Sequence, residues 1–213
     1  MATNNKQIIL TSLLCNPSVP PLAKERIFLL CDDSWDWISA LPDSHTPKQC
    51  VPLVSQLIQD KLASVIESQG SKIDLPINLS NAIVQFIEQP DVLFDTARPI
   101  LEKFEQHNFH WSCYKYIVNA VMIKKDGRDE FLHFLIASQN QDFVKETASN
   151  PNTPPEFLEL ISKSTAFDVK EQLARNHATG SALLQTLATN YWDQLIRPLS
   201  PDVRIDVASN ICM

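Results

Sequence analysis

Apolar residues along this chain recur at three- and four-residue steps, and no segment alternates apolar with polar positions. A period near 3.6 marks amphipathic helices and a period of 2 marks strands, so the pattern predicts an all-α protein with no sheet. After Thr46-Pro47-Lys48-Gln49, a T-P-x-Q capping signal, Val54, Leu57, Ile58, Leu62, Val65 and Ile66 fall on one helical face, and Gly70 is placed to end that helix. A second helix is expected after Asn78, through Ile83, Val84, Phe86 and Ile87, stopping before Pro90. A third covers roughly 91–106, with Pro99 expected to bend or break it. Residues 111–123 are apolar almost all round, the mark of a buried helix. A polar turn, Lys124-Lys125-Asp126-Gly127, then leads to Phe131, Leu132, Phe134, Leu135 and Ile136.

Beyond residue 140 the pattern repeats. Residues 142–150 read DFVKETASN, 168–176 read DVKEQLARN and 202–210 read DVRIDVASN. The three align without a gap, placing Ala148, Ala174 and Ala208 in register, and likewise Asn150, Asn176 and Asn210. The copies are 26 and then 34 residues apart, a period that signals stacked supersecondary units. Each unit reads as a short helix ending at an Ala-x-Asn step, an Asn/Pro corner and a second short helix, neither long enough to be stable alone. In the first unit Thr153 to Glu156 forms a T-x-x-E capping box with Pro154 at the first helical position, followed by a stripe of Phe157, Leu158, Leu160 and Ile161. The second unit keeps Thr179, Leu183, Leu184 and Leu187 but has Gly180 and Ala182 where the first has Pro154 and Glu156. Asparagine at the corners suits a helix end, because it tolerates the left-handed conformation and bonds nearby backbone. The alanines suit close helix approach.

The string ASNPNTPPEFLELIS, residues 148–162, resembles the leucine-rich-repeat-variant motif, with its asparagine-proline corner, Thr-Pro cap and leucine stripe. The resemblance covers about 142–187 and part of 202–210. Near the N-terminus, Asn16, Pro17, Pro20 and Pro21 in CNPSVPPLAKERIF echo Asn150, Pro151, Pro154 and Pro155, with Val19 in place of the cap threonine. The resemblance implies alternating α and 3₁₀ or short α helices stacked as a right-handed superhelix, related in architecture to HEAT and armadillo-type repeats. It also implies a binding role without common catalytic residues. Some members of that family carry an iron–sulfur domain on clustered cysteines; this chain has no such cluster, so no cofactor is expected.

Composition narrows the classes. Glycine is scarce, with 3 residues against 14 prolines, which fits proline-marked helix starts and not nucleotide-binding glycine loops. The formal charge is −7, made of −4 over 1–140 and −3 over 141–213. Neither part is the basic surface that phosphate binding requires, so nucleic acid is not the expected partner. No apolar run approaches the roughly 18 residues of a membrane span, and the polar start MATNNKQ is not a signal peptide. Five scattered cysteines argue for reduced thiols and a cytoplasmic location.

Candidate chemistry is sparse. His107, His110 and Cys113 stand three residues apart, and two imidazoles with a thiolate suit zinc. Three such steps drift around a helix, which favours ordinary packing over a shared ion. Asp32, Asp33, Trp35, Asp36 and Trp37 read as a binding hot spot or, preferably, as a helix N-terminus with acids in its first turn. No G-x-S-x-G, G-x-x-x-x-G-K-[ST] or G-x-G-x-x-G occurs. The extra residues between copies two and three include Tyr191, Trp192, Asp193 and Arg197, and insertions in repeat proteins often lie on one face.

The expected architecture is therefore an N-terminal helical region, 1–140, packed as a cap on a short right-handed α-solenoid, 141–213. The expected function is non-catalytic binding of another protein, with Tyr191, Trp192, Asp193 and Arg197 as contact residues and Asn150, Thr153, Asn176, Thr179 and Asn210 as structural repeat positions. The C-terminal end of the stack is expected to be exposed or covered by a partner. The alternative is a HEAT-like nucleic-acid-processing protein of the DNA glycosylase type, which would need a basic groove.

Overall fold

The computed structural model describes residues 51–70, 72–164 and 166–191, together with Leu13, Asn16, Ser18, Val19, Pro20 and Ala23. The 46–49 capping signal, the acidic aromatic segment at 32–37, Trp192, Asp193, Arg197 and the third repeat copy with Asn210 lie outside the described residues. Among the described residues there are nine helices and no strand. The chain divides into two compact units, Met1–Arg128 and Asp129–Met213.

In the first unit, α1 (Val51–Ser68), α2 (Ile77–Glu88), α3 (Phe94–Gln106) and α4 (Trp111–Ile123) pack α1 on α3, α1 on α2 and α2 on α4. The periodicity is obeyed: Val54, Ile58 and Leu62 of α1 are buried, and Gly70, at φ +53°, takes the left-handed conformation just after its end. Helix α3 runs through Pro99 unbroken. The proline removes one backbone bond, at a cost of roughly 3 kcal/mol. Ile100, Leu101 and Phe104 are each fully buried, and side chains of that size contribute about 1.5–3 kcal/mol apiece, so packing outweighs the loss. Of the bend or break expected at Pro99, the break is corrected: the helix is continuous through the proline.

Helix α4 also departs from expectation. Tyr114, Ile117, Val118, Ala120 and Val121 are buried, but Trp111, Tyr116 and Ile123 are 53%, 47% and 63% exposed. An all-round apolar helix is here buried on one side only. Tyr114 ties its start to the end of α3: its hydroxyl accepts from the Phe109 N–H at 3.2 Å and lies 3.3 and 3.0 Å from the Phe104 and His107 carbonyls. The rings of Phe104 and Phe109 stack 4.2 Å apart beside it. A parallel bridge, Ile73 to Phe109, joins the α1–α2 and α3–α4 connections, with the Ile73 N–H bonded to the Asn108 carbonyl and the His110 N–H to the Ile73 carbonyl.

The second unit holds α5 (Arg128–Ala137) from Asp129 onward, then α6 (Gln141–Ser149), α7 (Pro155–Ile161), α8 (Phe167–Arg175) and α9 (Ser181–Tyr191). Helix α6 packs on α7 and α8, and α8 packs on α9. Ala148, Leu158, Ile161, Ala174, Leu184 and Leu187 share one buried cluster, with Leu183 packed at its side. Phe157 is buried too, but its ring meets His133 edge-on at 5.1 Å.

Candidate functional site

The two described repeats share a corner, and its chemistry is the best-defined polar feature of the second unit. Asn150 and Asn176 follow α6 and α8 with φ/ψ of −75°/123° and −80°/120°. These are extended conformations, so the left-handed role expected for the asparagines is replaced by another. Each side-chain carbonyl accepts the N–H two residues on: Asn152 to Asn150 Oδ1 at 2.9 Å and Ala178 to Asn176 Oδ1 at 2.8 Å. This is an Asx turn, a side chain imitating a backbone turn. The amide nitrogen of Asn176 then reaches across to the preceding repeat, donating to the Ala148 carbonyl at 2.7 Å and the Asn150 carbonyl at 2.9 Å. One asparagine thus turns its own corner and bonds the corner before it.

The threonines are likewise reassigned. Thr153 does not cap α7; the residue at the cap position is Pro154, with Pro155 first in the helix and no side-chain cap. The Thr153 hydroxyl instead donates to the Thr147 carbonyl at 2.6 Å, and Thr179 donates to the Leu173 carbonyl at 2.7 Å. Both threonines are buried, whereas Glu156, the other half of the expected capping box, is exposed. The physical reason is spare acceptor capacity: near the ends of α6 and α8 the Thr147 and Leu173 carbonyls keep only the longer N–H bonds of Asn150 and Asn176, at 3.4 and 3.3 Å, and the threonine hydroxyl takes the remaining lone pair. Thr153→Val, which deletes only the hydroxyl, is expected to cost about 1 kcal/mol in urea melts, because it removes one buried hydrogen bond while the Thr147 carbonyl keeps the Asn150 N–H at 3.4 Å. Glu156→Ala is expected to stay within about 0.5 kcal/mol of the parent, as surface changes do. A comparable loss from Glu156→Ala would restore the capping box.

The zinc candidates do not gather. His107 follows α3 as its C-terminal cap residue, and His110 precedes α4 with its Nδ1 2.8 Å from Ser112 Oγ. Cys113 is buried and faces a small groove lined by Leu75, Ile83, Val84 and Tyr116. Burial pushes its thiol pKa up, against a hydrogen bond to the Leu75 backbone. Among the described residues no group of three His, Cys, Asp or Glu side chains could hold a metal ion. No described helix is long and apolar enough to cross a membrane.

Lys124 was read in the sequence as part of a polar turn, and the structure buries it. Its Nζ donates to the carbonyls of Ile87, Gln89 and Val92 at 2.9, 2.8 and 3.0 Å. Three donors meet three acceptors around the C-terminal end of α2, where cationic groups complement the helix dipole. Burial lowers its pKa from the ordinary value, opposed by Asp126. A lysine followed by Lys125 and Asp126 carries no sequence signal for this role.

Tyr191 is the last residue of α9. Comparison with known proteins finds no matching family model, no matching curated protein and no matching solved structure.

Proposed function

We propose that this chain is a helical-repeat scaffold that binds another protein and performs no catalysis of its own. In this reading the second unit is a short right-handed solenoid of the leucine-rich-repeat-variant kind, working in the cytoplasm. The observation that carries the reading is the identity of the two corners: the same Asx turn and threonine bond recur 26 residues apart. Asn176 joins one corner to the other. A unit that bonds to its neighbour through the element that defines it can be repeated, and stacked helical repeats generate extended surfaces suited to macromolecular partners. The step from such a surface to protein binding is one of analogy.

The contact surface in this proposal is the insertion at 191–197. The repeat geometry needs the asparagines and threonines; it does not need Tyr191, Trp192, Asp193 or Arg197. Tyrosine, tryptophan and arginine are the types most enriched at interface hot spots. The test begins with capture of partners on the immobilised chain and continues with a purified partner in calorimetry. Trp192→Ala and Arg197→Ala are each expected to weaken binding by about 2 kcal/mol, roughly thirtyfold, with the melting temperature unchanged. Unchanged affinity, or early unfolding of both variants, would assign the insertion to packing. Captured material that is released by nuclease and not by protease would favour nucleic-acid processing instead.

A further inference from the structure

The corner joint of the second unit recurs in the first, with a lysine in the place of the asparagine. Gln89 follows α2 at φ/ψ of −64°/135° and Lys124 follows α4 at −59°/136°, the extended conformation that Asn150 and Asn176 take after α6 and α8. Each of these four N–H groups bonds to the carbonyl three residues back: Gln89 to Phe86 at 3.3 Å and Lys124 to Val121 at 3.1 Å, as Asn150 does to Thr147 and Asn176 to Leu173. The Gln89 carbonyl accepts the Val92 N–H at 3.2 Å, as the Asn150 carbonyl accepts Thr153 and the Asn176 carbonyl accepts Thr179. Helix α3 then starts at Phe94, five residues past Gln89, as α7 and α9 start five past Asn150 and Asn176. Lys124 also stands 26 residues before Asn150, the spacing of Asn150 from Asn176. Residues 116–124 match 142–150 only at Val118 and Val144, so composition hides this register.

The bond across the joint follows the same rule. Asn176 donates from its amide nitrogen to the corner residue of the helix before, Asn150, and to the residue two before that corner, Ala148. Lys124 donates from its ammonium to the corner residue Gln89 at 2.8 Å, to Ile87, two before that corner, at 2.9 Å, and to Val92 at 3.0 Å. An amide nitrogen has two hydrogens and an ammonium three, so each donor group is matched hydrogen for hydrogen. Side-chain size accounts for the exchange. Two residues before the corner the second unit has Ala148 and Ala174, whereas the first has Ile87 and Met122, all four buried. Helices separate according to the side chains at their contact, and the four-carbon lysine stem reaches where the single carbon of asparagine would fall short.

We infer that the corner of α2 is a built binding site for a primary ammonium group, and that Lys124 is its resident ligand, joining α4 to α2 as Asn176 joins α8 to α6. Carbonyls at the end of a helix carry the negative end of its dipole, which favours a cation over a neutral donor. Three carbonyls converging on one nitrogen suit an ammonium with three hydrogens; a planar guanidinium, with its donors fixed in a fork, does not fit such a cradle. Lys124 is 3% exposed, so these carbonyls stand in for the water that would surround the ammonium. The joint is thus the same device in both units, run by a neutral amide in one and by a cation in the other. The inference stands apart from the protein-binding reading above.

The test removes the lysine stem and returns the ammonium in solution. Lys124→Ala deletes a propyl chain and its ammonium, and n-propylammonium carries both. Urea midpoints of the full-length variant and parent are compared in buffer, in propylammonium chloride, in 1-propanol and in sodium chloride, each solute at about 0.1 M, where a weak ligand stabilises by mass action. The variant is expected to lose stability in buffer and to recover about half of the loss or more in propylammonium, saturably and relative to the parent. Propanol and sodium chloride are expected to restore none of it. Should the variant not fold in buffer, the same solutes are added during refolding from urea, and folding in propylammonium alone supports the inference. Equal recovery in propanol or in sodium chloride overturns it, because filled volume or ionic strength would then be the cause. So does a variant that propylammonium leaves unrecovered or unfolded, or one that matches the parent in buffer.

Discussion

Asn176→Asp is expected to destabilise the protein by about 3–5 kcal/mol, the range for leaving a buried charge without a counter-charge. The substitution is nearly isosteric. It retains the oxygen that accepts the Ala178 N–H at 2.8 Å, so the Asx turn survives. It removes the nitrogen that donates to Ala148 and Asn150, and it sets a carboxylate against those two carbonyls at a 5% exposed site. Thermal unfolding should shift down by more than about 10 °C. The deficit should also depend on pH. A carboxyl buried against carbonyls has a folded-state pKa raised above its unfolded value of about 3.9, so the folded variant binds the proton more tightly. The variant's stability is then lost as pH rises from that unfolded value through the raised folded one, and regained on acidification. A midpoint within about 0.5 kcal/mol of the parent at neutral pH would show that the bond between corners contributes nothing measurable. The same change at Asn16, where the side chain is exposed, is the matched control.

Lys124→Met should cost about 2–4 kcal/mol, through the carbonyls of Ile87, Gln89 and Val92 that it leaves without their charged donor. Methionine preserves the length and most of the volume of the stem, so the loss is electrostatic and not a cavity. The Gln89 carbonyl retains a second bond, from the Val92 N–H at 3.2 Å, which keeps the expected cost below three full hydrogen-bond losses. Hydrogen exchange should quicken at the end of α2 before it does elsewhere in the first unit, because that end is what the ammonium holds. An unchanged urea midpoint would mean that the buried ammonium's desolvation cancels its bonds, the outcome known for some buried charges.

The elements most legible in the sequence were those set by period and by backbone rules. The stripe Val54, Ile58 and Leu62 is buried as its spacing requires, and Gly70 takes the positive φ that a stop there needs. The 26-residue register, set by 142–150 against 168–176 and carried past Asn150, named the two asparagines and the two threonines that shape the corners, since a repeated backbone geometry selects the same residue at the same place. The echo around Asn16, visible as a spacing of asparagine and prolines, has the same Asx turn, with the Ser18 N–H bonded to Asn16 Oδ1 at 2.9 Å and the Val19 N–H to the Asn16 carbonyl at 3.2 Å.

Other features depended on which groups meet in space. Nothing local distinguishes a threonine that caps the next helix from one that bonds the end of the last: both need a hydroxyl at one position, and the folded chain brought it to the Thr147 carbonyl. Apolar residues all round α4 could not say which side would be covered, because hydrophobicity is a property of a residue and burial is a property of its neighbours. Lys124 belonged by composition to a solvated turn; α2 ends within reach of it, 32 to 37 residues away in sequence, and three carbonyls there take the place of water around the ammonium. The sequence by itself thus determined the helices, their stops and the register of the repeat, since these follow from short-range sterics and periodicity. Tertiary structure alone decided the partners of the polar groups, because a hydrogen bond is chosen by proximity in the folded chain among donors and acceptors that are chemically equivalent along it.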